Sequence, residues 1–593
     1  MRVCDYIADA VYQAGAHDVF LVTGGGMMFL TDGLASHPAI HAIPCHHEQA
    51  AAMAAVGYAK YKGFGGAFVT TGCGGTNTVT GVLHAYQDNT PCVFVSGQCA
   101  TSEVIGSAPA PLRQLGMQEA DIVSIVKPIT KYAVMLTDVD SVVYEVEKAL
   151  YMAKEGRPGP VWIDVPLDVQ QAEFTLSEQK HFPAPSGNRP VCSEEELSDV
   201  VEKLRRAQRP LIIAGQGIRL SGAVDAFARF IEENGIPFVY SRLGFDVYPN
   251  GKDLSVGCIG IRGTRAGNFA VANADFVLAI GSRLSLNATG YNSDLFAREA
   301  EIYVVDVDAD EHKKNTIRID RLIQSDAGFF LEHMPPLDRE RYAPWAERCR
   351  EWKRKYPPCT EDCYDDSQGI SMYAFTNELS RYLDPDAAVV TDAGSTCYVV
   401  PQAMWFTTKE QRYMPSGAQA EMGYTLPGVM GTCFARGKRP AIGIVGDGSL
   451  QMNIQELQTI RHHNLPVKLF VWNNDGYLSI RGAQKNRFQG RYLGSGPNSG
   501  VTLPDLEKIC HAYGIDYIRL EKLSQAEPVM KQVMSAAGPV VCEVMCRSEE
   551  WILCTWSKRT LESGEVIRMP NEDMAPLLDR EEFYGNMIVK PVS

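Results

Sequence analysis

Long apolar runs are missing from this sequence. No run reaches the length of about 20 residues that a membrane-spanning helix needs. The N-terminal stretch MRVCDYIADAVYQAG carries charges inside a helical pattern and has no apolar core of signal-peptide length. We therefore expect a cytoplasmic protein without a membrane partner.

Basic clusters and patterned cysteines are also scarce. The formal net charge is −15 and no run of Lys and Arg occurs, which argues against a nucleic-acid partner. The 16 cysteines are scattered, without a disulfide framework or a CxxC…CxxC zinc pattern, so we expect reduced thiols. Cys359 with Cys363, and Cys45 with His46 and His47, lack a matching second pair of ligands, and we assign both sets structural or surface roles.

Short apolar runs alternate with helical patterns in three segments of the chain, which is typical of doubly wound α/β domains with parallel sheets. A polar tail follows, which is either a surface helix or a lid over the site. Polar stretches that contain proline separate the segments. The predicted domains are residues 1–176, 191–335 and 366–550, the tail is 551–593, and the first linker is 177–190. The strand candidates are VFLVTGG, GAFVTTG, PCVFVSG, GPVWIDVP, PLIIAGQG, FVLAIGSR, EIYVVDVDAD and AAVVTDAG.

The most informative stretch is AIGIVGDGSLQMNIQELQTIRHHNLPVKLFVWNNDGY, residues 441–477, whose pattern predicts strand, turn, helix and strand. Asp447 and Asn474 each follow one of the two strands. Ligands bind beyond the carboxyl ends of parallel strands, so the two side chains can converge there. One charged and one neutral oxygen suit Mg²⁺ that also binds the phosphates of a ligand.

The turn of this stretch also suits a phosphate. Gly446 and Gly448 let the backbone approach a phosphate that meets the helix N-terminus near Ser449. The alternative is a tight βα turn in which Asp447 caps the helix, followed by an unrelated Asn-Asn-Asp-Gly turn.

From about Asp5 to about Arg547 the chain resembles the acetolactate synthase-type enzymes that use thiamine diphosphate, whose cofactor motif begins with GDG and ends with NN. The resemblance implies a pyrimidine-binding, a central and a diphosphate-binding domain, with thiamine diphosphate and Mg²⁺ as cofactors. It also implies a homodimer or homotetramer with active sites between subunits. By this resemblance, Asp447 and Asn474 ligate Mg²⁺ through their side chains and Gly476 through its backbone carbonyl.

The same resemblance assigns further roles. Glu48, in HHEQAAAMAAVGYAKYKG, would give the cofactor's pyrimidine its proton relay, whereas by itself a Glu in a first helical turn is a capping or dipole residue. Gly25 would line the reacting centre, and Gln118 would reach the substrate. The other cofactor-binding candidates are Gly74, Asn77, Ala420, Met422, Gly446, Gly448, Ser449 and Ile480.

Departures from the family concern the acceptor. Met117 stands where the synthases have an aromatic residue, and Ala483 stands where a Trp favours a larger 2-oxoacid acceptor. The His pair with which simple decarboxylases of this superfamily protonate their product is absent from PAPLRQLGMQE. Losing that general acid favours carboligation.

Three central segments, VGCIGIRGTRAG, AIGSRLS and VVDVDAD, resemble flavin-binding pieces of the family, with Arg283 and Asp306 as the closest matches. Leu-Ser-Leu-Asn replaces the usual Phe-Asp-Asp-Arg after that Arg, so FAD binding and its absence both stay open. The GQG of residues 215–217 lacks the rest of a dinucleotide fingerprint.

These features together predict an enzyme that decarboxylates a 2-oxoacid, with pyruvate the first choice, and transfers the acyl-anion equivalent to a carbonyl acceptor. A second pyruvate, another aldehyde and a keto-sugar are the acceptors that we consider. The alternatives are a nonligating 2-oxoacid decarboxylase, an acetyl-phosphate-forming lyase, and a catalytically inactive cofactor-binding regulatory subunit. The presence of Glu48, Met422 and the GDG…NN set favours an active enzyme over the inactive regulatory subunit.

Overall fold

The structure, a computed structural model, describes residues 1–185, 189–555, 557–560 and 564–592, and its tail contains a two-stranded antiparallel sheet of Lys558–Thr560 and Val566–Arg568. The rest of the fold is three six-stranded sheets with interleaved helices. All the strand pairs within these sheets are parallel, so the expected doubly wound α/β class is confirmed. Residues 186–188 of the predicted linker, and residues 556, 561–563 and 593 of the predicted tail, lie outside the described residues.

The first sheet has the spatial order β2-β1-β3-β4-β6-β5. Its strands are β1 Asp18–Val22, β2 His41–Pro44, β3 Gly65–Val69, β4 Cys92–Gln98, β5 Tyr132–Met135 and β6 Val161–Pro166. Its helices are Val3–Gln13, Met28–Ser36, Glu48–Lys62, Cys73–Asn77, Val79–Gln87, Ile122–Val126, Val142–Lys154 and Leu167–Gln171.

The central sheet has the order β12-β11-β10-β7-β8-β9. Its strands are β7 Pro210–Ala214, β8 Phe238–Tyr240, β9 Ser255–Cys258, β10 Phe276–Ile280, β11 Glu301–Asp306 and β12 Arg321–Gln324. Its helices are Glu194–Arg206, Gly217–Leu220, Val224–Asn234, Arg265–Asn273, Leu286–Thr289, Ala327–His333 and Arg339–Lys355.

The third sheet has the order β14-β13-β15-β16-β18-β17, which repeats the spatial pattern of the first sheet. Its strands are β13 Ala388–Thr391, β14 Arg412–Pro415, β15 Ala441–Gly446, β16 Val467–Asn473, β17 Asp516–Leu520 and β18 Val540–Met545. Its helices are Met372–Ser380, Ser395–Ala403, Thr425–Ala435, Asp447–Leu450, Glu456–His462, Leu478–Arg487, Leu506–Tyr513 and Ala526–Ser535.

The helices Glu48–Lys62 and Thr425–Ala435 pack against each other and join the first sheet's domain to that of the third. Glycines allow the close approach: a Cβ built on Gly57 would lie 2.3 Å from the Gly428 carbonyl oxygen, and one on Gly431 would lie 2.0 Å from that of Ala54. The helix that begins at Glu48 is therefore held by backbone-to-backbone contact with the third domain.

The tail contacts the central domain. Arg298 Nη1 lies 2.6 Å from Glu572 Oε1, and Trp352 Nε1 donates a hydrogen bond of 2.9 Å to Asn586 Oδ1. Phe583, on the helix Arg580–Gly585, is buried in the same cluster as Trp352. The lid role of the tail stays a prediction. No helix in the described part of the chain is long and apolar enough to span a membrane.

Candidate functional site

The GDG and NN pieces meet at the carboxyl ends of β15 and β16, which are adjacent parallel strands. Asp447 lies directly after β15, and its Oδ2 accepts hydrogen bonds from the backbone N–H of Asn474 at 3.0 Å and of Gly476 at 3.1 Å. Its Oδ1 accepts from the Gly448 N–H at 2.7 Å. The carboxylate therefore fixes the loop that carries the other two predicted ligands.

The buried side chains of Asp447 and Asn474 would each be stabilised by a bound cation. Burial raises the pKa of Asp447 to about 6, although the surrounding N–H groups oppose the shift. Asn474 Oδ1 is buried without a hydrogen-bond partner among the described residues. A cation here would satisfy the amide oxygen and favour the ionised carboxylate, so both residues fit Mg²⁺.

Gly476 completes the predicted ligand set. Its φ of 117° is the left-handed conformation that glycine alone adopts at no steric cost, and its carbonyl accepts from Leu478 N at 3.2 Å. A carbonyl oxygen has a second lone pair for a metal. Clusters of three or more His, Cys, Asp or Glu that could hold a metal are absent from the described residues, so the candidate site mixes one carboxylate with neutral oxygens.

The predicted phosphate cradle is tied to a residue that the motif does not contain. Ser449 Oγ donates to Asp392 Oδ2 at 2.7 Å and accepts from the Gly423 N–H at 2.8 Å. Burial raises the pKa of Asp392 to about 6. Gly446 has open space where a Cβ would stand, whereas one on Gly448 would lie 2.4 Å from the Tyr477 ring. Asp392 is not among the site residues predicted from the sequence, although it directly follows β13 as Asp447 follows β15.

The segment with Ala420 and Met422 adjoins this cradle through Gly423. Ala420 has a φ of 51°, which is uncommon for a residue with a Cβ. Met422 leaves 38% of its surface exposed. Asn453 Nδ2 donates to the Gly423 carbonyl at 2.9 Å and to Gln49 Oε1 at 3.1 Å, so the segment is connected to the helix of Glu48.

Two of the predicted residues in the first domain touch each other. Asn77 Nδ2, at the end of the helix Cys73–Asn77, donates to Glu48 Oε2 at 2.9 Å. His47 Nδ1 accepts from Gln49 N at 3.0 Å and caps the helix that Glu48 begins. The first-turn Glu48 is therefore not the capping group, which leaves its carboxylate for another role.

Glycine loops surround this carboxylate. Gly24 and Gly26 lie so close to Thr70 and Thr71 that a Cβ would overlap their side chains, whereas Gly25 faces open space. A Cβ built on Gly74 would lie 3.0 Å from Thr70 Cγ2. The loops that follow β1 and β3 therefore lie together at one edge of the sheet.

Gln118 reaches the same edge. It has a φ of 61° and an exposed side chain, and a Cβ on Gly72 would lie 1.8 Å from its carbonyl oxygen. On the third domain, Ile480 is 51% exposed on the helix Leu478–Arg487. Arg481 of that helix donates to the Asn474 carbonyl at 2.7 Å and so ties the helix to the candidate metal loop.

Arg283 and Asp306 lie apart from these residues, in a cavity of about 1390 Å³, open mouth included, that runs along the central domain. Arg283 follows β10 and Asp306 ends β11. Within the described ranges, the Arg283 guanidinium has no hydrogen bond or ion pair. Arg283 is half-buried, and a cation without a counter-ion in a cavity suits an anionic ligand such as a diphosphate.

Comparison with known proteins gives matches along most of the chain. Three family profiles match: the N-terminal thiamine pyrophosphate (TPP) binding domain of thiamine pyrophosphate enzymes over residues 1–125, their central domain over 197–334, and their C-terminal TPP binding domain over 392–544. The acetolactate synthase large subunit of Lactococcus lactis subsp. lactis is 31% identical over 92% of this chain and 93% of its own length.

Two plant proteins are similar to the same extent. Acetolactate synthase 1, chloroplastic, of Zea mays is 30% identical over 93% of this chain and 86% of its own length. Acetolactate synthase 2, chloroplastic, of Nicotiana tabacum is 30% identical over 93% of this chain and 82% of its own length.

Proposed function

The chain belongs to the acetolactate synthase family of thiamine pyrophosphate enzymes, and on that premise we propose that it is a Mg²⁺- and thiamine-diphosphate-dependent carboligase. It takes an acyl unit from a 2-oxoacid, with pyruvate the first choice, and transfers it to a carbonyl acceptor. The observation that carries the proposal is the buried Asp447 carboxylate beside the unpartnered amide oxygen of Asn474.

The residues of the third domain would hold the cofactor's anionic end. Asp447 and Asn474 bind Mg²⁺ through their side-chain oxygens and Gly476 through its carbonyl, while Ser449 orients the turn beside the diphosphate. Bound there, thiamine diphosphate supplies the electron sink that makes decarboxylation of a 2-oxoacid feasible.

The residues of the first domain would handle the proton and the substrate. Glu48, oriented by Asn77, holds and returns a proton at its carboxylate, opposite a ring nitrogen of the pyrimidine. Ala420 offers its carbonyl and Met422 its exposed side chain to the same ring. Gly25 and Gln118 line the space for the reacting carbonyl groups.

The acceptor is a second pyruvate, another aldehyde or a keto-sugar. Met117 is 86% exposed and Ala483 is small, so the side of the site that faces the acceptor carries less aromatic bulk than in the synthases it resembles. A pocket with different side chains selects a different carbonyl acceptor.

We also propose that the central cavity holds a cofactor with a diphosphate, for which FAD is the family's candidate. Arg283 would pair with the diphosphate, and Asp306 would accept from a ribose hydroxyl. The visible absorption of the purified protein tests this: a flavin spectrum supports FAD, and a colourless protein that takes up no added FAD contradicts it.

Product analysis by NMR tests the main proposal. The purified protein is incubated with thiamine diphosphate, Mg²⁺ and pyruvate, alone and with aldehyde or keto-sugar acceptors. Acetolactate or a longer ligation product supports a carboligase, acetaldehyde alone favours the nonligating decarboxylase, and acetyl phosphate formed with added phosphate favours the lyase.

A variant separates catalysis from mere cofactor retention. Glu48→Gln keeps the size of the side chain and removes its acid–base function, so product formation should fall by at least about a hundredfold while the cofactor is still bound. If the biological role is unchanged in this variant, the chain is a regulatory subunit and the catalytic proposal fails.

A further inference from the structure

Four ionisable side chains meet inside the molecule, at the junction of the first and third domains. Lys60 Nζ lies 2.6 Å from Asp88 Oδ2, and His84 Nε2 lies 3.2 Å from the same oxygen. On its other side, His84 Nδ1 lies 2.5 Å from Glu421 Oε1. All four side chains are at least nine-tenths buried. We call Lys60, Asp88, His84 and Glu421 the buried quartet.

The two carboxylates of the buried quartet hold the segment that carries Ala420 and Met422. Asp88 accepts hydrogen bonds of 2.8 Å from the backbone N–H of Gly417 and of Ala418, just before Ala420. Glu421, just after it, accepts from the Ser416 hydroxyl. The segment is therefore anchored on both sides of Ala420.

Ala420 is the residue that needs such anchors. Its φ of 51° is disfavoured for any residue with a Cβ, and such a conformation persists only where the surroundings impose it. Met422 beside it stays 38% exposed. The anchored backbone thus presents one carbonyl and one apolar side chain outward.

Burying charged side chains in a protein interior costs free energy. Apolar residues of the same volume would stabilise this junction as well or better, because each buried ion loses its hydration. The charges here are balanced and geometrically specific: burial by itself lowers the pKa of His84, yet the Glu421 and Asp88 carboxylates outweigh that effect and raise it. A network of this kind fixes a geometry that apolar contacts leave adjustable.

We propose that His84 and Glu421, supported by Asp88 and Lys60, are positioning residues that set Ala420 and Met422 against the pyrimidine of thiamine diphosphate. They act through the segment and do not touch the cofactor. This inference rests on the proposed function, since it needs the pyrimidine to be bound at Ala420 and Met422.

Calorimetric titration with two ligands tests the proposal. In the presence of Mg²⁺, thiamine diphosphate probes both ends of the site, whereas inorganic diphosphate probes the Asp447 end alone. Glu421→Gln should weaken thiamine diphosphate binding by about tenfold and leave the Kd of inorganic diphosphate unchanged. The double variant His84→Gln/Glu421→Gln removes both charges of the pair, which avoids leaving one of them buried and unpaired.

Glu572→Gln is the matched control. Glu572 is a buried carboxylate paired with Arg298, far in sequence from the buried quartet, so its loss should reduce stability and leave both Kd values unchanged. Folding of each variant is checked by circular dichroism and by its unfolding temperature.

Each outcome is decisive. A selective rise in the Kd of thiamine diphosphate supports the positioning role. Unchanged affinity in folded variants, or an equal rise for both ligands, overturns it. A wild-type protein that binds neither ligand overturns the proposed function itself, which is a different result from variants that match a binding wild type.

Discussion

At the scale of single residues, matched substitutions can distinguish the role of the Asp447 carboxylate from that of its neighbour Asp475. Asp447→Asn removes the only charge of the candidate Mg²⁺ site among the described residues, so added Mg²⁺ and thiamine diphosphate should no longer raise the unfolding temperature. In the wild type, ligand at a hundredfold excess over its Kd should stabilise the fold by about 2.7 kcal/mol.

The control lies in the same loop. Asp475 is exposed with a φ of 64°, which Asn also tolerates, so Asp475→Asn changes the net charge equally without touching the site. Differential scanning fluorimetry with and without ligand compares the two variants. A normal ligand shift in Asp447→Asn would remove Asp447 from the metal site.

His84 gives a second prediction at this scale, with a defined sign. Its pKa in the folded protein is raised above the ordinary value of 6.5, so the protonated form stabilises the fold. That contribution is complete below pH 6.5 and is lost as the pH rises through the raised pKa. The stability difference between wild type and His84→Gln should therefore be largest in mild acid and shrink in alkali.

Urea unfolding over a pH series measures this difference. His511→Gln, on the exposed face of its helix, should be near neutral at every pH. A difference between wild type and His84→Gln that grows with pH would mean that His84 is neutral in the folded state.

The residues predicted from sequence are those that follow a strand or belong to a motif. Asp447 and Asn474 could be placed together because adjacent parallel strands end at the same edge. Glu421 and His84 could not be paired in this way, because they are separated by 337 positions and each has an ordinary sequence context. Long-range ion pairs leave no periodicity in a sequence.

At the scale of elements, the crossing of Glu48–Lys62 and Thr425–Ala435 depends on Gly57. In Gly57→Ala the new methyl group would stand 2.3 Å from the Gly428 carbonyl oxygen, a backbone atom that cannot move alone. We expect a loss of about 1–3 kcal/mol in the free energy of unfolding, since the helices must separate.

The control for this change is Gly482→Ala, inside the helix Leu478–Arg487, where a Cβ meets nothing within 4 Å. There the better helix propensity of Ala should leave stability unchanged or slightly higher. Urea unfolding compares the two variants, and equal stabilities would show that the helices do not depend on this contact.

Elements differ in how far their sequence reveals them. Every strand named from the sequence is an inner strand of its sheet, buried on both faces and therefore a continuous apolar run. The edge strands are only four or five residues long, and β2, β5, β12 and β17 among them are partly exposed, whereas β9 and β14 are mostly buried. The contact partner of the Ala-rich helix Glu48–Lys62 could not be predicted either, because small residues allow a close approach but do not determine which element approaches.

At the scale of the whole molecule, several large apolar side chains lie exposed at or next to predicted site residues. Met117, Ile480 and Met422 are 86%, 51% and 38% exposed, and Met28 near Gly25 is 52% exposed. Exposed apolar groups at the residues of a predicted site favour a covering partner. A second copy of the chain, which we propose as the partner, would supply one.

Mixing two inactive variants tests whether the sites lie between subunits. If Glu48 of one subunit serves the cofactor held by Asp447 of its partner, a heterodimer of Glu48→Gln and Asp447→Asn chains contains one intact and one doubly altered site. Such heterodimers, isolated by two different affinity tags after co-expression, should regain about half of the wild-type activity per dimer, while each homodimer stays inactive. Sites contained within single chains would give no recovery, because every chain in the mixture then carries a defect in its own site.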